Sequence, residues 1–224
     1  MPRVGRIYIE EGVFHVMARG NNKQPLFHDE RDFIVYKETL SRLKGEQPFK
    51  LFHYCLMTNH IHLIIETNEN TELSRMMKRI NLSYYQHYKK RYGYSGHFWQ
   101  DRFKSLLIEK DPYLLACGLY IERNPVRAMM VKLPEQYPYS SYAYYAFGRD
   151  DPLLDKDPCY ETLGKDDLQR RSEYRKRAVA DTEHVGQAIS RQLFLGSAGF
   201  IKRMEKRFGV RNIKLERGRP KKNK

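Results

Sequence analysis

The sequence lacks long hydrophobic runs and contains little cysteine. No apolar stretch approaches the roughly 20 residues needed to cross a bilayer, so we expect no membrane span. Residues 1–6 also lack the apolar core of a signal peptide, which predicts a cytoplasmic protein. The three cysteines, Cys55, Cys117 and Cys159, are odd in number and widely separated. They therefore predict neither a disulfide framework nor a cysteine zinc site.

Acidic residues are also few relative to basic ones. The chain has 41 Lys and Arg against 27 Asp and Glu, which gives a formal net charge of +14. Such an excess attracts polyanions, and nucleic acid is the usual polyanion for a soluble protein. The 17 Tyr and 11 Phe supply flat rings on which unpaired bases can stack. A basic surface over a tyrosine-rich core is the alternative explanation, and composition leaves both open.

The order of the predicted elements indicates an α+β fold. Hydrophobic spacing predicts a strand, a helix, two strands, a helix, a strand and a helix, at residues 12–19, 30–44, 51–57, 60–66, 72–92, 97–108 and from 112 onward. The first six elements follow the ferredoxin-like order, an antiparallel sheet with helices packed on one face. A chain of 224 residues can form one such domain with an appendage.

The composition changes after residue 147. Residues 134–145 are rich in tyrosine and proline, which predicts irregular chain that wraps a first domain, residues 1–147. Residues 148–158 contain four aspartates and two prolines, which predicts a hinge.

The residues after this hinge are more basic and predict a separate extension. Helical spacing indicates a small helical unit over 159–212, with helices near 165–180, 183–194 and 200–208. The tail, 213–224, is too polar and charged to pack, so we expect it to be disordered when unbound. Within the tail, Arg217 and Arg219 lie in a motif similar to an AT-hook core, whose arginines enter narrow A·T minor grooves. A merely basic tail is the alternative.

The motif His60-Ile61-His62 is the main candidate for a metal site. Side chains alternate between the two faces of a strand, so His60 and His62 are predicted to share one face. Neutral imidazole is a common metal ligand, and two imidazoles side by side can hold one divalent cation. Two ordinary histidines beside a turn are the alternative when this motif is taken alone.

Tyr120 and Asn124 are the main candidates for phosphodiester chemistry. They lie four residues apart near the end of a predicted helix and therefore share one of its faces. Tyr120 can supply a phenolate nucleophile, and the carbonyl of Asn124 can act as a third metal ligand beside the two histidines. Mixed nitrogen and oxygen ligation suits Mg²⁺ or Mn²⁺. A tyrosine of the hydrophobic core is the alternative interpretation of Tyr120.

Four sequence blocks carry a resemblance to a known family. They are RGNNKQ at 19–24, YCLMTNHIHL at 54–63, GHFWQDRFKS at 96–105 and YIERNPVRA at 120–128, followed by YPYSSY at 137–142. In these blocks the chain resembles the single-tyrosine HUH transposases, which are insertion-sequence transposase-like, and most of all the REP-associated tyrosine transposases. The resemblance covers about residues 1–147 and implies the HUH endonuclease fold.

The resemblance also implies an activity and its residues. It implies that His60 and His62 hold a divalent metal, that Asn124 is a further ligand, and that Tyr120 joins to a 5′ phosphate and frees a 3′ hydroxyl. The substrate implied is single-stranded DNA beside hairpins, here REP-like sequences, and relatives act as monomers or homodimers. The extension 159–212 is then expected to bind DNA, and the protein to associate with the nucleoid when DNA-bound.

Basic residues in these blocks and on the exposed side of the second helix are candidates for DNA contact. They are Arg19, Arg75, Lys78, Arg79, Arg102, Lys104 and Arg127, together with Arg217 and Arg219 of the tail. Two other functions stay open at this point. One is a domesticated protein that binds hairpins without cutting them, and the other is a metal-dependent nuclease that uses water instead of tyrosine.

Overall fold

A five-stranded sheet forms the centre of the computed structural model, which describes residues 9, 11–110, 112–179 and 183–213. The strands lie in the spatial order β2-β3-β1-β4-β5. The first four are antiparallel to their neighbours, whereas β5 runs parallel to β4. Their bounds are β1 Gly12–Arg19, β2 Lys50–Met57, β3 His60–Thr67, β4 Lys104–Ile108 and β5 Phe194–Leu195.

The helices between β1 and β4 occur in the predicted order. Within the described residues the α-helices are α1 Glu30–Glu46, α2 Leu73–Tyr92, α3 Pro112–Glu122, α4 Asn124–Arg127, α5 Tyr142–Phe147, α6 Asp167–Ala178, α7 Glu183–Arg191 and α8 Ala198–Phe208. The predicted order from β1 to β4 and the α+β class are confirmed. None of the helices in this part of the chain is long and apolar enough to cross a membrane.

Helices cover both faces of the sheet, where the sequence predicted helices on one face. On the first face α1 and α2 pack against β-strand residues such as Phe14 and Leu63. On the second face α3 and α7 pack against residues such as Val13 and Ile64. The sequence of α3, PYLLACGLYIE, is apolar on all sides, so it needs a cover on its outer side as well. The helices α5 and α6 provide that cover.

Local interactions explain where the first two helices begin and end. The Asp29 side chain accepts a hydrogen bond from the Arg31 backbone N–H, which satisfies a donor at the start of α1. The helix α2 ends at Gly93, whose φ of 61° lies in the left-handed region that glycine adopts at little cost. Both helices therefore have defined ends, which fixes the loops between them and the sheet.

The segment 148–158, predicted as a hinge, is fixed against the first domain by hydrogen bonds and packing. The carboxylate of Asp155 accepts from the Leu51 backbone N–H at 2.8 Å and from Lys44 Nζ at 2.5 Å. Leu153 and Leu154 are buried in the same core as α1 and α2. Residues 148–158 therefore form a strap, a segment of chain that packs along the surface of the first domain. The domain boundaries stay predictions, and the tail with Arg217 and Arg219 lies outside the described residues.

Candidate active site

His60 and His62 lie side by side on one face of β3, at the end of the sheet. Their ring centroids are 5.0 Å apart and their planes are at 78°. His60 Nδ1 is 2.6 Å from the carboxamide oxygen of Asn59, which can only accept, so Nδ1 carries the proton. His62 Nδ1 is 2.8 Å from Nε2 of His15. A hydrogen bond at Nδ1 leaves Nε2 of a ligating histidine available to a metal.

Both histidines are held in the neutral form. Burial, together with the smaller effect of the charge of Arg19, lowers the pKa of His60 to about 4. Burial also lowers the pKa of His62 well below its usual value, and the neighbouring His15, His60, Arg19 and Arg127 add to this effect. Arg19 contributes because the β1–β3 register places it directly opposite His60. Neutral imidazoles are the form that binds a cation.

Tyr120 lies on α3 and is 7% exposed. The guanidinium of Arg127 lies over its ring, 4.1 Å from the centroid. The same guanidinium is close enough to His62 for its charge to lower the pKa of that histidine. Arg127 therefore connects the phenol on α3 with the histidine pair on β3. On another side, the ring of Tyr120 lies against the backbone of Gly186 in α7.

Asn124 does not continue the helix that carries Tyr120. The helix α3 ends at Glu122, and Asn124 begins the short α4. Pro125 lies inside α4 and has no N–H with which to continue the hydrogen-bond ladder of α3, and the two helices are separated at Arg123. Tyr120 and Asn124 therefore lie on two successive helices, and their sharing of one face stays a prediction.

Two buried N–H donors at these candidate residues have no hydrogen-bond partner among the described residues. They are Nε of Arg19 and Nδ2 of Asn124. Unsatisfied buried donors are uncommon and suggest that a ligand supplies the acceptor. Turning the Asn124 carboxamide would present its oxygen instead. The described residues contain no cluster of three His, Cys, Asp or Glu side chains for a metal. Two neutral imidazoles and a carboxamide oxygen have the ligand chemistry of a divalent-cation site, and a metal held by His60, His62 and Asn124 stays a prediction.

The end of α3, two residues after Tyr120, is fixed by a buried polar network. His53 lies between two carboxylates, with Nδ1 2.9 Å from Glu122 and Nε2 2.9 Å from Asp157. Glu122 also accepts hydrogen bonds from Ser141 Oγ at 2.5 Å and from the Tyr174 hydroxyl at 2.6 Å. The network thus joins α3 to β2, α6 and the strap 148–158.

The charge state of His53 follows from this setting. Burial alone would favour neutral imidazole, but the hydrogen bonds to Asp157 and Glu122 outweigh it and raise the pKa of His53 to about 9. A charged His53 matches the two carboxylates that it contacts. The network is therefore an ion-paired anchor for the end of α3, and it does not include His60 or His62.

The remaining candidates for DNA contact separate into distinct places. Arg75, Lys78 and Arg102 line one groove beside α2. Arg79 instead forms an ion pair with Glu46. Lys104 is exposed at the first position of β4. The groove therefore collects three of the predicted basic residues.

Two residues that contact the site were not among the predicted site residues. His15 bonds to His62 although the two are far apart in the chain, and the only signal was its position on a predicted strand. Gly186 contacts Tyr120 from the C-terminal extension, and no local pattern indicates such a contact.

Comparison with known proteins places the chain in a family. A family model described as "Transposase IS200 like" matches residues 9–124, a little over half of the chain, and this segment contains the histidine pair, Tyr120 and Asn124. The chain belongs to the IS200-like transposase family. The family resemblance seen in the sequence blocks is thereby confirmed.

One curated relative agrees with this assignment. A Haemophilus influenzae protein named "Putative REP-associated tyrosine transposase" is 29% identical over 120 residues, which are 48% of this chain and 65% of that protein. The chain therefore matches somewhat less than two thirds of that relative's length.

The fold is shared with a solved REP-associated tyrosine transposase bound to a REP hairpin. The TM-score is 0.57 at 21% identity, over 69% of this chain and 94% of the other. A second structure, a "putative transposase" from Deinococcus radiodurans, aligns with a TM-score of 0.38 at 14% identity over 61% of this chain and 95% of the other. At 21% identity, the likeness to the REP-associated tyrosine transposase structure is one of fold alone.

Proposed function

We propose that this transposase cuts and rejoins single-stranded DNA at hairpin, REP-like sequences through a 5′-phosphotyrosine on Tyr120. The observation that carries the proposal is the position of Arg127. Its guanidinium covers the Tyr120 ring, and its charge acts on His62. One cationic side chain thus contacts the phenol and acts on one of the two neutral imidazoles, and positive charge at this place suits a reaction at a phosphate.

The proposed reaction exchanges one ester bond for another. The phenol oxygen of Tyr120 attacks the phosphorus of a backbone phosphodiester and loses its proton to solvent. The P–O3′ bond breaks, and the O3′ atom leaves as a hydroxyl after it takes up a proton. The 5′ phosphate stays on Tyr120. Because the new ester retains the energy of the old bond, a 3′ hydroxyl can reverse the step without a nucleotide cofactor.

The residues around Tyr120 have distinct parts in this reaction. When bound, Mg²⁺ or Mn²⁺ neutralises negative charge on the phosphate oxygens. His60 and His62 would hold the cation through Nε2, with Asn124 as the third protein ligand. Arg19 Nε is a buried donor without an acceptor beside His60, and it can donate to a phosphate oxygen. Arg127 keeps the Tyr120 ring in place and adds positive charge.

One observation favours a second function, hairpin binding without cleavage. Tyr120 is only 7% exposed, and α7 lies against its ring and hydroxyl. A nucleophile must reach its substrate, so cleavage requires that the contact with α7 opens. A domesticated protein that binds hairpins would need no such opening.

The decisive test is formation of a covalent protein–DNA adduct. The full chain is incubated with 5′- and 3′-labelled hairpin DNA and Mn²⁺ or Mg²⁺, and denaturation-resistant complexes are separated. We expect an adduct that disappears in Tyr120→Phe while hairpin binding is retained. Tyr113→Phe on the same helix is the matched control and keeps the adduct.

Each other outcome identifies a different function. An adduct that persists in Tyr120→Phe places the nucleophile elsewhere. Cut DNA without any adduct supports hydrolysis by water. Tight hairpin binding with neither product supports the non-catalytic function.

A further inference from the structure

We propose that the groove beside α2 binds an unpaired nucleotide of the DNA strand that passes the active site. This proposal rests on the proposed function, which supplies the identity of the DNA. The groove lies between the first half of α2 and residues 96–103 and has a volume of about 760 Å³. That volume falls in the range of pockets that hold small organic ligands. It does not contain Tyr120 or either histidine of β3.

The wall of the groove is aromatic and apolar. Phe98 and Trp99 meet edge to face with their centroids 5.0 Å apart, and the ring of Tyr85 is 5.7 Å from that of Phe98. Leu82 is 50% exposed at the same place. Phe98 is itself only 3% exposed and supports these rings from the core. The surface on which a base can stack is therefore Leu82 with the partly exposed rings of Tyr85 and Trp99.

The rim of the groove is basic, and its basic side chains are unpaired. Arg75, Lys78 and Arg102 are exposed, and none of them forms a hydrogen bond or ion pair with the described part of the chain. Arg79, one residue after Lys78, is instead engaged by Glu46. Unpaired cations beside stacking surface are the combination that binds a nucleotide, because the phosphate needs a cation and the base needs a ring.

Two acidic residues limit how much DNA the groove can hold. Glu72 and Asp101 also line it, so three basic side chains stand against two acidic ones. A long duplex contact requires a strongly positive surface. This balance fits one nucleotide with its phosphates better than a duplex.

The groove is connected to the active site through backbone hydrogen bonds. Trp99 pairs with Gly20 as an isolated β-bridge, and the Gln100 N–H donates to the Arg19 carbonyl at 2.8 Å. The Gly20 N–H donates in turn to the Asn59 carbonyl at 2.9 Å, next to His60. A strand held at the histidine pair therefore lies beside the segment that forms the groove wall. This continuity favours DNA over a peptide as the occupant.

The experiment uses Trp99, which is the only tryptophan in the sequence and therefore reports on the groove alone. Unstructured oligothymidylate of about ten nucleotides is titrated into the full-length Tyr120→Phe chain, and tryptophan fluorescence is recorded. We expect saturable quenching, because a stacked base quenches indole emission. Leu82→Asp places a negative charge in the groove and should weaken binding roughly tenfold, since stacking contributes about 1–3 kcal/mol per base.

Matched variants separate this site from general charge effects. Leu168→Asp makes the same change at a leucine of α6 that is 77% exposed and does not line the groove, and it should leave quenching unchanged. Lys78→Gln should reduce the dependence of log K on log salt by about 0.7. Lys89→Gln, further along α2, should change this salt dependence less. Circular dichroism confirms that each variant is folded.

The outcomes distinguish this proposal from the proposed function. Oligothymidylate binding without any change in Trp99 emission, or quenching that Leu82→Asp leaves intact, overturns the groove as a nucleotide site. An apolar peptide or a second copy of the chain that quenches Trp99 where oligothymidylate does not also overturns it. Normal quenching in the Tyr120→Phe chain, together with no covalent adduct in the wild-type chain, supports the groove as a nucleotide site and contradicts the proposed cleavage activity.

Discussion

Gly186 of α7 lies directly against the ring and hydroxyl of Tyr120. A Cβ atom at position 186 would be 2.7 Å from Cε2 and 2.9 Å from the hydroxyl oxygen of Tyr120. These distances are shorter than carbon contacts allow, so only glycine permits α7 to pack this closely. The C-terminal extension thereby covers the candidate nucleophile.

Replacing Gly186 should loosen this cover. Gly186→Ala forces α7 or the Tyr120 ring to move, and we expect a loss of roughly 1–3 kcal/mol in the free energy of unfolding. Amide hydrogen exchange in α7 should become faster. The matched control is Gly199→Ala in α8, where the nearest atom to a new Cβ is 3.5 Å away. Equal exchange in both variants would contradict the packing of α7 on Tyr120.

Arg127 should matter for the reaction but little for the fold. It is exposed, and its guanidinium lies 4.1 Å from the Tyr120 ring centroid. Arg127→Ala should lower the rate of adduct formation roughly tenfold or more, because it removes a fixed positive charge from the site. Arg127→Lys should restore part of the rate, since lysine keeps the charge but does not stack as a plane.

The control for Arg127 is Lys132→Ala, which removes an exposed charge soon after α4 and should leave the rate unchanged. The measurement is single-turnover adduct formation with labelled hairpin DNA, beside a thermal melt of each variant. A normal rate in Arg127→Ala would show that the ring contact has no part in the chemistry.

The network around His53 should make stability depend on pH. The pKa of His53 is raised to about 9 in the folded protein, against about 6.5 in an unfolded chain. A raised pKa stabilises the fold fully below pH 6.5, and this contribution is lost as the pH rises through about 9. We expect the free energy of unfolding to fall by roughly 1–3 kcal/mol across that window.

Urea denaturation at pH 6 and pH 9.5 measures this loss. His53→Gln keeps polar atoms in the network but does not titrate, so its unfolding free energy should be lower at pH 6 and vary less with pH. A wild-type protein whose stability is flat across the window would contradict a charged His53 between Glu122 and Asp157.

Local patterns were sufficient for the first half of the fold. Period-two alternation placed His60 and His62 on one face of β3 because the pleat of a strand is a property of neighbouring residues. The Asp29 cap of α1 was likewise predicted from the sequence, because a capping side chain bonds to backbone groups of residues directly beside it.

Elements that depend on distant contacts were not predictable. The strand β5 has only two residues and no periodicity, and it exists because Leu107 and Glu109 donate to the carbonyls of Leu193 and Leu195. The prediction of a helix over 183–194 was therefore too long, since α7 ends at Arg191. The segment 134–145 was predicted as irregular chain, but its last four residues belong to the helix α5. Its rings pack on α3 and α6, which no local pattern encodes.

The same limit explains the candidate site. The His60–His62 pair is local, whereas the contacts of His15 and Gly186 arise only after folding. The end of α3 shortly before Pro125 could be predicted from the sequence. The position of Arg127 over Tyr120 could not, because it depends on how the chain folds after that point. The sequence thus supplied the candidate site residues, and the structure added residues that contact them.

His15 should tune the affinity of the histidine pair for a cation. Its Nε2 lies 2.8 Å from His62 Nδ1, and the two rings stack with centroids 5.0 Å apart. Removing such a partner of a metal ligand commonly costs about 10- to 100-fold in affinity. His15→Phe should therefore weaken Mn²⁺ binding by that factor, whereas His15→Gln, which can still hydrogen-bond, should weaken it less.

Mn²⁺ binding can be measured without DNA or catalysis, by electron paramagnetic resonance of the free ion during titration. His60→Ala is the reference for loss of a direct ligand and should abolish binding at the site. Chelation with EDTA should reverse Mn²⁺ binding in the wild-type chain. If His15→Phe binds Mn²⁺ as tightly as wild type while His60→Ala does not, then His62 is oriented by β3 alone, and the hydrogen bond from His15 only satisfies a buried nitrogen.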